Sequence, residues 1–243
     1  MEFKEKYVYD NVIQVNEVDA SRKFIANVFL WMFVALGISA GLAYFFATDK
    51  SLFELLRNSE TGGNTGLGTI VMFAPLAFVL IISFGFNRLS YGVLALLFLA
   101  YSVVMGLSLS YIFYIYSLGT IAGVFITTSL LFGIMAIAGY TTQTDLTKFG
   151  SLMIMGLIGI VIASLVNMFL HSSGLNMIIS YVGVAVFVGL TAYDVQKLKN
   201  IGAGLEYGDA SAKKMALMGG LTLYLDFINL FIMLLRVFGG RRD

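Results

Sequence analysis

The stretch that decides the fold is MALMGGLTLYLDFINLFIMLLRVF, Met215 to Phe238. It is apolar for long enough to cross a bilayer, for which ~20 residues suffice. Near its centre stands Asp226, with Asn229 one helical turn further on. A carboxylate in the middle of a span costs ~2.5–3.5 kcal/mol on insertion scales. Either this run is no span, or the acid is kept there for a purpose.

The rest of the chain answers the first half of that alternative. Of 243 residues, 59% are hydrophobic and 12% charged, against ~45–50% and ~25% in soluble domains. Six further windows are apolar over a span's length and carry no charge: Phe24–Phe46, Leu67–Phe86, Tyr91–Tyr116, Thr120–Tyr140, Gly150–Leu170 and Asn176–Tyr193. These runs are continuous, whereas the strands of a membrane barrel alternate polar and apolar. The fold class is therefore an all-α integral membrane protein, a bundle of seven transmembrane helices joined by short connections that make consecutive helices antiparallel neighbours. Residues 1–23 read as a polar N-terminal tail and residues 24–243 as the seven-helix membrane domain. The tail, MEFKEKYVYDNVIQVNEVDASRK, has no short apolar core of a cleavable signal, so the first apolar run is expected to stay as the first span.

Several functions are excluded at once. A net charge of +1 gives no field for nucleic acid. The chain has no cysteine, so disulfides and thiolate chemistry are absent. The one histidine, His171, falls in a short loop and has no second histidine to form a zinc pair.

Lysine and arginine set the orientation. With the N-terminus inside, Lys4, Lys6, Arg22, Lys23, Arg88, Lys148, Lys197, Lys199, Lys213 and Lys214 face inward, and Lys50, Arg57, Arg236, Arg241 and Arg242 outward, ten against five. The expectation is N-in and C-out, in a bacterial inner membrane. The loop Thr48–Gly66 has room for a short amphipathic helix before a Gly-rich turn, and Pro75 is expected to kink span two. Gly37 with Gly41 and Gly119 with Gly123 are small-xxx-small pairs, expected to mark close packing within the bundle in preference to a dimer interface. In the polar turn GYTTQTDLTKFGS, Thr144 is a candidate cap and Asp145 and Lys148 read as solvated. Asn167 reads as an interhelical hydrogen bond, and Glu54 and Glu60 as solvent-facing.

The chemistry lies in two acids. Span six ends in FVGLTAYDVQKLK, where Lys197 and Lys199 are placed to snorkel and Asp194 stays ~9 Å inside if the helix runs to about Asn200. Gly219-Gly220 reads as a weak point at the start of span seven. A helix beginning there puts Asp226 at the same ~9 Å depth, and one beginning at Met215 puts it ~17 Å deep. In the first case two carboxyl groups meet on adjacent antiparallel helices; in the second, tilt or a broken helix must close the gap. Out of water they cannot both ionise and share one proton, which makes a pH-sensitive latch. Losing that proton leaves two like charges that a cation can bridge, and hard oxygen ligands suit Ca²⁺. Two aspartates fall short of the ~6–8 oxygens Ca²⁺ prefers. A metal site at Asp194 and Asp226 would be weak and wet, with Asn229 as an auxiliary ligand. Arg236 lies ~15 Å beyond Asp226 along the helix, too far to pair with it, while Arg88 is a candidate counter-charge.

The segments GLTAYDVQKLK and LTLYLDFINLFIMLLRVFGG, with the turn GYTTQTDLTKFGS and the run GLIGIVIASLVNMFL, resemble the Bax inhibitor-1 family, also called the transmembrane Bax inhibitor motif family. The resemblance covers roughly residues 88–240. It implies a bundle with the last helix central and a pH-sensitive Ca²⁺ leak governed by an aspartate dyad, here Asp194 and Asp226. It also implies a switching arginine, for which Arg88 is the counterpart. Some relatives carry a glutamate within span two; Leu67–Phe86 has no acid. The resemblance also implies an alternative, a non-conducting regulator that binds a membrane protease or a survival-related protein, and the polar tail is the segment that would serve it. An intramembrane aspartyl enzyme also uses two aspartates, but the flanks TAYDV and LYLDF lack its glycine before the acid, so the reading is of a protein that is not an enzyme and has no cofactor beyond a permeant ion.

Overall fold

The computed structural model describes residues 2–58, 61–204 and 210–239. Glu60, Arg241 and Arg242 lie outside the described residues, as does the middle of the connection between the last two spans. Among the described residues the chain is helical throughout, with one isolated antiparallel bridge between Arg57 and Asn64. The helices are α1 (Glu2–Thr48), α2 (Lys50–Leu56), α3 (Gly66–Gly85), α4 (Tyr91–Leu109), α5 (Ile112–Ile115), α6 (Leu118–Thr141), α7 (Thr147–Leu170), α8 (Ser173–Ala203) and α9 (Ala210–Phe238).

Seven stretches are long and apolar enough to cross a membrane: Ala20–Thr48, Gly66–Gly85, Tyr91–Ile115, Leu118–Thr141, Thr147–Leu170, Ser173–Ala203 and Ser211–Phe238. The protein is an integral, multi-pass membrane protein. Each stretch contains the apolar window read from the sequence or differs from it by a residue or so at an end. The residues read as a polar tail are helical from Glu2 onward and run into the first span without a break.

The chain divides into two compact units, one of residues 1–31 and 127–237 and one of residues 32–126 and 238–243. In the second unit α3 packs on α4 and α2 packs on α3. The expected short helix in the first long loop is α2. Asp49 caps it, accepting from Ser51 N and Leu52 N, and the Gly-rich turn that follows uses the positive φ of Gly62 (+66°). Phe53 of α2 meets the rings of Tyr111 and Tyr114, and Tyr111 Oη donates to Leu56 O at 3.0 Å. α3 runs on through Pro75. Gly106 lies against the backbone of Ser39, and Ser39 Oγ donates to Ser102 O at 2.7 Å.

The first unit holds the two acids. Here α9 is the central helix: Val28 of α1, Phe132 of α6, and Gly183 and Leu198 of α8 all lie against it. It is also the most enclosed of the seven spans, with 61% of its most apolar window buried against 11% for α7. α7 packs along α8, with Gly150 against the Tyr193 ring and Gly156 against Val186.

The expected small-xxx-small contacts are not the ones the fold uses. Gly37, Gly41 and Gly123 have open space where a β-carbon would go, and Gly119 meets only the Ser117 hydroxyl at 4.0 Å. Close approach occurs instead at Gly139, Gly183, Gly202 and Gly219, whose spacing follows the neighbouring helix and no internal motif. Asn167 also departs from expectation. Its Oδ1 accepts from Ser172 N at 3.0 Å and so closes the α7–α8 turn locally. That turn carries His171, exposed and left-handed at φ 50°.

Candidate functional site

Two glycine contacts set how α8 and α9 lie together. Gly183 of α8 meets Met233 of α9, and Leu198 of α8 meets Gly219 of α9. Numbers rise along one helix as they fall along the other, so the pair is antiparallel. The same register brings Asp194 and Asp226 together. Their carboxyl groups are within hydrogen-bonding reach of one another.

This meeting does not depend on a helix start at Gly220. α9 begins at Ala210 and passes through Gly219-Gly220 as continuous helix. Gly219 is there for contact: a β-carbon on it would lie 2.6 Å from Leu198 Cδ2 and 3.0 Å from Val28 Cγ2. α8 likewise runs past Asn200 to Ala203. Both acids therefore sit well inside long helices, and close glycine packing holds those helices near enough for two short side chains to touch.

Asp226 is 5% exposed and Asp194 is half-buried. No N–H or O–H among the described residues donates to Asp226 Oδ2, which is fully buried. A buried carboxylate oxygen without a donor is costly, and the group at hand is the second carboxyl. Two carboxylates have no donor between them, so the contact becomes a hydrogen bond only when one carries a proton.

A positive charge that acts on Asp194 is Lys197. Its side chain is exposed, with Nζ 5.9 Å from the centre of the Tyr193 ring. Lys199 was expected to snorkel beside it and does not. Its Nζ donates to Tyr140 O at 2.8 Å, on the last turn of α6, and stands 5.0 Å over the Tyr140 ring. A free carbonyl at a helix C-terminus is a better partner for an ammonium than a distant headgroup.

The remaining candidates have contacts of their own. Asn229 donates from Nδ2 to Leu225 O at 2.8 Å, one turn back on its own helix. Arg88 lies in the second unit, exposed in the turn after α3, its backbone N–H donating to Gly85 O. Thr144 does not cap α7. Leu146 stands at its N-cap, and Asp145, one residue earlier, accepts from Thr147 N at 2.9 Å and Thr147 Oγ1 at 2.6 Å. Among the described residues no three or more His, Cys, Asp or Glu gather where a metal ion could be held.

One residue was missed. Gln196, buried at 8% exposure, donates from Nε2 to Thr144 O and accepts at Oε1 from Leu146 N, both at 2.8 Å. Its signal in the sequence is an amide two residues after an acid on a helix face that turns out to be buried. An amide side chain is one of the few able to offer a turn both a donor and an acceptor.

Comparison with known proteins bears on the whole of this arrangement. The sequence model of the family described as "Inhibitor of apoptosis-promoting Bax1" matches residues 21–243. An inner membrane protein of Escherichia coli K12, YbhL, is 47% identical over 220 residues, covering 90% of this chain and 92% of the relative. A Rickettsia prowazekii protein, RP147, is 41% identical over 222 residues, 91% of each chain. A membrane protein of Streptococcus pyogenes, M6_Spy0327, is 33% identical over 238 residues, 96% of this chain and 99% of its own. With the seven spans and the match running through both acids, the chain belongs to the Bax inhibitor-1 family of membrane proteins.

Proposed function

We propose that this protein is a pH-sensitive, calcium-permeable channel or leak gated by the Asp194–Asp226 pair. One observation carries the reading: two carboxyl groups from adjacent helices are within hydrogen-bonding reach, Asp226 buried and Asp194 half-buried, and Asp226 Oδ2 receives no donor. With one shared proton the pair ties α8 to α9. Without it two like charges are in contact, and the helices separate or a cation enters. Two carboxylates offer Ca²⁺ too few oxygens to hold it, which suits passage over storage. Arg88 keeps the role of switching partner that the family resemblance implies. The protein sits in a bacterial inner membrane, N-terminus cytoplasmic and C-terminus outside, as the lysine and arginine asymmetry indicates.

The test is Ca²⁺ flux into liposomes as a function of pH. Asp194→Asn and Asp226→Asn each remove the pH dependence seen in the wild type. Flux that titrates unchanged in both variants overturns the reading.

A second reading, a membrane regulator that binds a protease or a survival-related protein, is favoured by one observation. The helix continues from Ala20 back to Glu2, ahead of the first span, and a helix there offers a partner a surface. Deleting residues 2–18 then abolishes co-purification of the partner from native membranes and leaves ion flux intact; a deletion that changes flux and not co-purification counts against it.

A further inference from the structure

We propose that Gln196 is the positioning residue of the aspartate pair: by clamping the Thr142–Leu146 turn it sets the rotation of α8 that presents Asp194 to α9. The proposal rests on the pair reading above and deepens it.

The argument starts from helical geometry. Successive residues are about 100° apart around an α-helix. Taking Asp194 as the origin, Leu198 is about 40° round from it, and both face α9, where they meet Asp226 and Gly219. Ala192, Lys199 and Gln196 lie at about 140–200°, on the opposite side. Each of the three meets the end of α6 or the turn after it: Ala192 against Gly139, Lys199 on Tyr140 O, Gln196 on Thr144 O and Leu146 N. Tyr193, on a third side, meets Gly150 of α7. This part of α8 is gripped from behind at the level of Asp194.

Gln196 is the part of that grip with direction. Ala192 and Tyr193 make van der Waals contacts, which tolerate sliding, and Lys199 is a flexible stem ending in a point charge. Gln196 makes two hydrogen bonds of opposite polarity to one short turn, so it resists both rotation and translation of α8. Leu146 is the N-cap of α7 and makes no side-chain cap bond; its N–H and Thr144 O are two polar groups of the turn, and Gln196 satisfies both. The other charged and titratable groups on this side have their own partners or face water. Asp145 is committed to Thr147, Lys199 to Tyr140 O, and Lys148 and Lys197 are exposed.

The experiment uses the full chain in lipid, with two readouts. Infrared difference spectroscopy follows the C=O stretch of the protonated carboxyl, assigned as the band that Asp226→Asn removes. Hydrogen exchange follows the Leu146 amide. In Gln196→Met the Leu146 amide exchanges roughly tenfold faster, as expected for a lost hydrogen bond, and the carboxyl band shifts. Gln196→Glu keeps an acceptor for Leu146 N and loses the donor to Thr144 O; it shifts the band less and serves if Gln196→Met does not fold. A third measurement leaves Gln196 in place: Asp226→Asn alone raises exchange at Leu146. If no band is lost in Asp226→Asn, the pair reading falls. If the band exists but does not move in either Gln196 variant, and Leu146 exchange in Asp226→Asn equals that of the wild type, Gln196 only fastens the turn and the proposal is overturned.

Discussion

Gly219 of α9 lies so close to Leu198 of α8 that a β-carbon would stand 2.6 Å from Leu198 Cδ2, and the leucine side chain would have to move to admit it. Leu198 is one turn from Asp194, so whatever widens this contact pulls the acids apart. Gly219→Val is expected to destabilise the protein by ~1–3 kcal/mol through overpacking and to weaken the pH dependence of flux. Gly41→Ala is the control, because nothing lies within 4 Å of its β-position and alanine is the better helix former by ~0.5–1 kcal/mol. Unfolding in detergent gives both values. A Gly41→Ala variant as unstable as Gly219→Val would refute the packing argument.

Gly139 makes a harder contact than Gly219. A β-carbon there would fall on the carbonyl oxygen of Ala192 and 2.8 Å from its Cα. Leu198 can turn its side chain away, but the backbone of α8 cannot retreat without the helix moving. Gly139→Ala is therefore expected at the upper end of the ~1–3 kcal/mol range for overpacking, and Gly219→Ala below it. The same unfolding measurement ranks them, and the reverse order would show that α8 is free to shift at Ala192.

The spans were legible because membrane helices are read from the length of an apolar run, and these runs are uniform. Asp194 and Asp226 were legible because an acid inside such a run stands out against its neighbours. What a run does not disclose is the helix across from it. In GISAG and GTIAG no neighbouring helix lies against the β-positions of the motif glycines, while Gly139 and Gly219 carry no motif and are in contact. Lys199 looked like Lys197, one turn of sequence giving two lysines at the end of an apolar run. The difference is Tyr140 O, a carbonyl on a helix 59 residues away in sequence. Gln196 was passed over for the same reason, since both its partners lie on a turn that sequence alone does not bring to α8.

Acid should loosen the start of α7 before the helices themselves. The hydroxyl of Thr147, and after it the Thr147 N–H, hold the Asp145 carboxyl below its ordinary range. A carboxyl held low in the folded state contributes stability that is complete above its unfolded pKa of ~3.9 and is lost as pH falls through the lower folded value. Exchange of the Thr147 amide should therefore accelerate on acidification below about pH 4, and Asp145→Ala should exchange fast at every pH. An Asp145→Ala protein whose Thr147 amide still gains exchange in that window would place the acid sensitivity elsewhere.

Asn229 separates a gate made of two acids from a coordination site made of more. One turn beyond Asp226, it looks placed to give a passing cation another oxygen. Its Nδ2 donates to Leu225 O at 2.8 Å, which holds the amide against its own helix. Replacing it with alanine removes one half-buried bond of the kind that contributes ~0.5–1.5 kcal/mol, and leaves both carboxyl groups as they were. Asn229→Ala should then lower thermal stability slightly and keep the pH profile and the Ca²⁺ dependence of flux, where Asp226→Asn removes the pH profile. Reconstituted flux at several Ca²⁺ concentrations decides it, since an auxiliary ligand would reveal itself as weaker Ca²⁺ saturation in Asn229→Ala at unchanged pH dependence.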